Sequence, residues 1–288
     1  VSADQARVNL TKMGDVELSK PASGAMAILK KLKPKTKKTS SSEGQMKILR
    51  RLPKILRFLP GKAQDLRTYF LTMQYWLDGS DENTEQMLRM LISAYADRPG
   101  WSEIKALPPI EYHEVGLFHP AHPERVFTDI AELPGPPQPE ATVGQLMMRS
   151  YILSRDCAHY EAVIDAFEAR NIRVIPAFAG GLDARPAISR YFRTETGTQI
   201  DAMVSLTGFS LIGGPAYNDS DAAIAMLSDL DVPYLAAQPL EFQTLGQWAS
   251  APGGLGPVET TMLIALPEID GATNPTVFAG RHGHDRCT

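Results

Sequence analysis

Between Gln45 and Leu59 the apolar residues Ile48, Leu49, Leu52, Ile55, Leu56 and Leu59 recur at helical spacing, while Lys47, Arg50, Arg51, Lys54 and Arg57 hold the other side. The pattern predicts an amphipathic helix, kinked or broken at Pro53. A second stripe, Leu66, Tyr69, Phe70, Met73 and Leu77, predicts a second helix. Ser80 is placed to cap a third with the face Met87, Leu88, Leu91 and Tyr95, which Pro99-Gly100 ends. Packing against one another is the expected use of these faces. From Trp101 to Thr142 eight prolines preclude long regular elements, leaving a short strand and turn at Val115-Gly116-Leu117-Phe118-His119-Pro120.

Beyond Thr142 the period changes. Short apolar runs at Leu146–Leu153, Arg173–Phe178, Ala202–Leu206 and Pro233–Ala237 read as strands, separated by helical patterns at Cys157–Arg170, Ala184–Arg193 and Ser220–Leu230. The first of these helices shows Tyr160, Val163, Ile164 and Phe167 on one face, with Asp156 placed to cap it. Thr260–Leu266 and Thr276–Ala279 are candidates for two more strands. Strands alternating with helices predict an α/β fold: a helical, basic N-terminal region followed by a mostly parallel, Rossmann-like or flavodoxin-like sheet covered on both faces. The chain then divides into the end of a preceding segment (1–19), a helical region with a basic loop (20–100), a Pro-rich connector (101–142) and a sheet domain (143–288) that continues past the last residue.

Charge sharpens this division. The formal net charge of −4 conceals +11 over residues 1–62 and −15 over the rest. Most of the excess lies in Lys30-Lys31-Leu32-Lys33-Pro34-Lys35-Thr36-Lys37-Lys38 and around Arg50-Arg51. The lysine run lacks interleaved aromatic residues and any nucleic-acid motif, so it reads as a solvated loop or a patch for an acidic partner. No run approaches the ~20 apolar residues of a membrane-spanning helix. Two cysteines, Cys157 and Cys287, form no disulfide framework and suit a reducing compartment.

In an open parallel sheet ligands bind beyond the carboxyl ends of the strands. The loops there carry Ser154-Arg155-Asp156 and His159, Ala179-Gly180-Gly181-Leu182-Asp183, Thr207-Gly208-Phe209 through Pro215, and Gln238-Pro239-Leu240. Asp156, His159, Gly180, Gly181, Thr207, Gly208 and Phe209 are therefore expected to face a cavity or interdomain cleft. The alternative is that the glycines serve only as tight turns. Neither glycine loop matches a dinucleotide fingerprint or a phosphate loop, so no cofactor is bound by a recognisable motif. His113, His119 and His122, and separately His282, His284 and Cys287, are conceivable metal ligands, and the spacing alone selects neither set. No nucleophile-base arrangement can be assembled from spacing, and no catalytic residue is assigned.

A set of phrases changes the picture. Leu52-Pro53-Lys54-Ile55-Leu56-Arg57-Phe58-Leu59-Pro60, Gln74-Tyr75-Trp76-Leu77-Asp78-Gly79-Ser80-Asp81-Glu82-Asn83, Gly116-Leu117-Phe118-His119-Pro120, His159-Tyr160, Ile175 to Asp183, Ser205 to Ala216 and Phe278-Ala279-Gly280-Arg281 run in one order along the chain. In this the chain resembles the N-terminal part of the magnesium/cobalt chelatase large-subunit family, and within it the large porphyrin-binding component of magnesium chelatase. The resemblance implies ATP-dependent insertion of Mg2+ into protoporphyrin IX in chlorophyll or bacteriochlorophyll biosynthesis. Mg2+ and protoporphyrin IX are then substrates of the complex, and ATP is handled by two ATPase-ring-type partner subunits. It also implies that this chain is a segment of a longer subunit, inactive alone, in the cytoplasm or a plastid stroma, with or without peripheral membrane association. Two other readings stay open: a cobaltochelatase large subunit acting on a corrinoid precursor, and a module that docks the ATPase subunits without touching a tetrapyrrole. The implied residues are no more than a cavity wall, with Arg155, Arg185 and Arg190 as the nearest cations for propionates.

Overall fold

The structure, a computed structural model, describes residues 62–214 and 217–283 together with 51, 53, 54, 56 and 57. The lysine run at 30–38, most of the amphipathic helix at 45–59, and His284 and Cys287 lie outside the described residues. The described residues form two compact units, one of those up to 74 with 89–105, the other of 75–88 with those from 106 to 283.

In the first unit run most of α1 (Lys62–Leu77) and the second half of α2 (Asp81–Tyr95). Phe70, in the middle of the predicted stripe, is buried. The Tyr95 hydroxyl reaches Asp65 Oδ1 at 3.1 Å, and Arg98 stacks over the Trp101 ring at 5.0 Å. The face predicted for α2 is only partly an interior one. Met87 is buried, but Leu88 and Tyr95 are more than half exposed, and the other interior position is polar Asn83.

The second unit is built on a seven-stranded sheet. Its strands and helices follow in the order β1 (Val115–Phe118), β2 (Val126–Phe127), β3 (Ala141–Met148), α3 (Arg149–Leu153), α4 (Ala158–Glu168), β4 (Ile172–Ala179) and α5 (Arg185–Tyr191). Two short hairpins, β5–β6 (Arg193–Thr194, Gly197–Thr198) and β8–β9 (Gly213–Gly214, Tyr217–Asn218), flank β7 (Ala202–Ser205). Then come α6 (Ser220–Leu230), β10 (Tyr234–Thr244), α7 (Leu245–Ser250), α8 (Pro257–Glu259), a π-helical stretch Thr260–Ala265, α9 (Leu266–Asp270) and β11 (Thr273–Arg281).

The sheet order is β11-β10-β7-β3-β4-β1-β2. The five strands β3, β4, β7, β10 and β11 are mutually parallel, and β1 and β2 add an antiparallel edge beside β4. Numbered along the chain, the parallel strands lie in the order 2-1-3-4-5, the flavodoxin-like doubly wound arrangement, with its switch point between β3 and β7. Leu146, Ile175, Met203, Tyr234 and Ala236 pack with α5 and α6 residues on one face. Val143, Met147, Val174, Phe178 and Val204 pack with Tyr160 and Ile164 of α4 on the other. The α4 face predicted from its spacing is the face that is buried.

Four local expectations are corrected. Gln238-Pro239-Leu240 is not a loop but the buried middle of β10, which runs on to Thr244. The run Leu146–Leu153 is not one strand: β3 begins at Ala141, ends at Met148, and Arg149 opens α3. Gly144 and Gln145 hid its first half, yet both are interior. A Cβ on Gly144 would come within 2.9 Å of Ile200 and Phe192. Thr260–Leu266 is helical, because a short buried apolar run does not distinguish strand from helix by period. Pro257 at the start and left-handed Gly271 at the end bracket it as helix. Asp156 does not cap α4. Cys157 occupies the cap position and makes no side-chain cap bond.

Candidate functional site

The carboxyl ends of β3, β4 and β7 border a small, half-open cleft with an enclosed volume of about 20 Å³. Its walls are Leu146, Met147 and Met148 from β3, Ala179 and Gly181 to Ala184 from β4 and its loop, and Thr207, Phe209, Ser210 and Leu211 after β7. The lining is mostly apolar, with Asp183, Thr207 and Ser210 as polar points.

The β4 and β7 loops are zipped together. Ala184 N–H donates to the Leu211 carbonyl (2.9 Å), Gly213 N–H donates to that of Leu182 (2.6 Å), and Asp183 forms an isolated bridge with Ile212. Arg185 clamps Asp183 through Nε to Oδ1 (2.9 Å) and Nη2 to Oδ2 (2.7 Å), and the ion pair holds the Arg185 pKa up. Behind the β7 loop, buried Asp270 accepts at Oδ2 from Ser210 Oγ (2.6 Å) and Leu211 N–H (2.8 Å). Gly208 turns this loop at φ +81°, a conformation that a side chain would strain.

Across the switch point, the buried Tyr160 hydroxyl accepts from Met148 N–H (3.2 Å) and donates to the Leu206 carbonyl (3.4 Å), tying the ends of β3 and β7 together. That role accounts for the tyrosine of the His159-Tyr160 phrase. Burial drives the Tyr160 pKa far up, so the phenol stays protonated.

Of the residues singled out from the sequence, Gly181, Thr207 and Phe209 line the cleft and Gly208 turns the loop that forms one wall. Phe209 is half-buried. Gly180 packs against β1's approach, its N–H donating to the Glu114 carbonyl (2.5 Å), and a Cβ there would collide with the Glu114 carboxylate. Asp156 and His159 do not line the cleft. His159 is 3% exposed, lies edge-on to Tyr151 (5.2 Å) and 4.0 Å from the Tyr160 ring, and neither of its nitrogens has a hydrogen-bond partner. Burial lowers its pKa, with the Asp156 carboxylate opposing. Met148, Leu182, Asp183, Ser210 and Leu211 were not singled out; the loop position after β4 was the available signal for Leu182 and Asp183.

The cations considered for propionates are engaged. Arg155 pairs with Glu82 (2.7 Å), Arg185 with Asp183, and Arg190 stacks on Tyr191 (5.2 Å). Among the described residues no group of three His, Cys, Asp or Glu side chains is placed to hold a metal ion. His119 is a buried turn histidine: Nδ1 accepts from Ala121 N–H (3.2 Å), which leaves Nε2–H to donate to Glu168 Oε1 (3.1 Å). His122 stacks on Phe127 at 4.0 Å. No helix among the described residues is long and apolar enough to cross a membrane.

The Gln74 to Asn83 phrase has a structural purpose. Asp78 pairs with Arg149, Ser80 Oγ accepts from Asn83 N–H at the start of α2 (3.2 Å), and Asn83 bonds both the N–H (2.8 Å) and the carbonyl (2.9 Å) of Ile110. The expected Ser80 cap is present.

Comparisons with known proteins agree with the fold. The family pattern described as CobN/Magnesium Chelatase matches residues 73–288, and a domain of unknown function, DUF3479, matches residues 1–70. The H subunit of magnesium chelatase from Cereibacter sphaeroides is 66% identical over 99% of this chain, and the chloroplastic magnesium-chelatase protein ChlH of Oryza sativa subsp. indica is 38% identical over 95%. The aerobic cobaltochelatase protein CobN of Pseudomonas aeruginosa is 28% identical over 72%. The catalytic subunit of cobaltochelatase from Mycobacterium tuberculosis shares the fold, with a TM-score of 0.51 at 22% identity over 76% of this chain and 17% of that one. The chain spans 24% of the length of the Cereibacter relative and 21% of the rice one. On the match over residues 73–288 and the identity to these relatives, the chain belongs to the CobN/magnesium chelatase family.

Proposed function

We propose that this chain is a segment of the large subunit of a magnesium chelatase, which holds protoporphyrin IX while Mg2+ is inserted at the expense of ATP. The observation that carries the reading is the 66% identity to a magnesium-chelatase large chain over 99% of this one, against 28% to a cobaltochelatase relative. On this reading residues 143–288 carry most of the sheet domain of the large chain, residues 101–142 form a connector that also adds the edge strands β1 and β2 to it, and residues 20–100 are a helical region with a basic loop. ATP belongs to two ATPase-ring-type partners, the complex works in the cytoplasm or a plastid stroma, and the segment alone is inactive.

Within it, the cleft beyond β3, β4 and β7 forms part of the wall against which the tetrapyrrole rests. Its enclosed volume of about 20 Å³ is far below the ~300–1,000 Å³ of a complete ligand pocket, so it supplies a patch of wall and the rest of the site comes from elsewhere in the large chain. Phe209 offers a ring to a flat apolar macrocycle, and Gly181 allows close approach. The test is an absorbance and fluorescence titration of the full-length polypeptide with a soluble porphyrin, wild type against Phe209→Ala. The reading predicts at least about tenfold weaker binding in the variant, about 1.4 kcal/mol. Unchanged affinity removes the cleft from the porphyrin site and leaves the docking of partner subunits as its function.

A further inference from the structure

Among the described residues the sheet is covered unequally. Central strands β3 and β4 are buried on both faces over their five middle residues, Val143 to Met147 and Val174 to Phe178. On β10, Tyr234, Ala236 and Gln238 are buried whereas Leu235 and Ala237 between them are only half-buried. The open side continues onto β11, where Thr276, in register with Ala237, is exposed and Phe278 is half-buried. Phe278 is the extra residue of a β-bulge between the Gln238–Val277 and Pro239–Ala279 pairs, a device that re-aims a side chain. Leu235, Ala237 and Phe278 pack at the margin of the cluster under α4, on the face that α4 occupies.

Topology explains the gap. The connection from β3 to β4 runs toward one edge of the sheet and places α4 on this face, while those from β4 to β7 and from β7 to β10 run toward the other edge and place α5 and α6 on the opposite face. That is the uniform handedness expected of parallel crossovers. By the same rule, an element returning from the β11 edge toward β3 lies on the α4 face, over Leu235, Ala237 and Phe278. Parallel sheets are stable with both faces covered.

We propose that Leu235, Ala237, Thr276 and Phe278 form the docking face for an amphipathic helix of the same large-subunit polypeptide, lying beside α4 and completing the doubly wound sheet. The Cereibacter relative is about four times the length of this chain, so the polypeptide has the residues to supply it. The inference rests on family membership and not on the porphyrin reading, and its test does not involve porphyrin.

The experiment is thiol labelling of the full-length polypeptide, free of partner subunits and monomeric by size exclusion, carrying Thr276→Cys or, as a control, Glu195→Cys. Both positions are exposed in this chain. The proposal predicts labelling of Thr276→Cys at least ~100-fold slower than the control, as for a site that reacts only through local opening. It also predicts slow amide exchange in peptides covering residues 234–240 and 273–281 of the unmodified polypeptide. Equal labelling rates in the monomer overturn it. So does protection that appears only on adding partner subunits, or only in a dimeric fraction, because the occupant is then a partner or a second copy.

Discussion

Arg149 and Asp78, 71 positions apart, form a buried ion pair with Nη2 and Oδ1 2.6 Å apart. Arg149 also donates to the carbonyls of His113 (2.8 Å) and Tyr112 (3.1 Å), so one guanidinium joins the end of β3, the start of α2 and the segment leading into β1. Removing one partner strands a buried charge, which costs about 3–5 kcal/mol, whereas replacing both with apolar groups costs far less. Arg149→Met is therefore expected to lower unfolding stability by that amount. Asp78→Leu combined with Arg149→Met recovers a large part of it, as read by a double-mutant cycle in urea.

His159 gives a pH dependence. Its pKa is lowered from the ordinary value near 6.5, first by burial, so the unfolded chain binds the proton more readily than the native one. The contribution of this group to stability is complete above pH 6.5 and is lost as the pH falls from there through the native pKa. His159→Phe removes two unpartnered nitrogens as well as the titration. It is expected to match or exceed wild-type stability at about pH 7.5 by up to about 1 kcal/mol, and to widen its advantage at about pH 5.5. Paired thermal melts at the two values check both; an advantage that narrows toward the lower pH contradicts the assignment.

Asp270 is the support behind the cleft. Asp270→Ala leaves the Leu211 N–H buried without acceptor and the Ser210 hydroxyl with only the Ile212 carbonyl at 3.4 Å, at a cost of about 1–3 kcal/mol. Because both donors sit in the wall-forming loop, amide exchange in peptides covering residues 207–213 is expected to rise more than exchange in β3. A uniform rise across the sheet would show a purely global effect.

Much of the fold was legible because the α4 and α6 patterns are amphipathic and the strands between them short and apolar. α6 spans Ser220–Leu230 as its period indicates. The β3 start was not legible, since Gly144 and Gln145 look like a loop and are interior only because Phe192 and Ile200 from distant elements close over them. The helix at 257–270 was missed because its turn residues outweigh its apolar run only once their backbone angles are known. For the site, strand-end position pointed to Gly181, Thr207 and Phe209. His159 follows a strand end only if the strand reaches Leu153; β3 ends at Met148, α3 intervenes, and the ring turns into an aromatic cluster, a side-chain direction that no local pattern encodes.

Gly144 tests that account of β3. A methyl group there meets Ile200 and the Phe192 ring at 2.9 Å, and overpacking of this kind costs about 1–3 kcal/mol. Gly144→Ala is expected to lose that much in urea denaturation, and pairing it with Ile200→Val to restore part of it. A neutral Gly144→Ala would mean that β3 and α5 are less closely packed than described.

The central proposal is that this chain belongs to a polypeptide that presents a porphyrin, not a corrinoid, to magnesium. The most direct measurement is a side-by-side fluorescence-quenching titration of the full-length polypeptide with a soluble protoporphyrin analogue and with a hydrogenobyrinate-type macrocycle. The account predicts saturable binding of the porphyrin and at least about 100-fold weaker binding of the corrinoid, about 2.7 kcal/mol. Tighter binding of the corrinoid, or saturable binding of neither by a folded polypeptide, contradicts it.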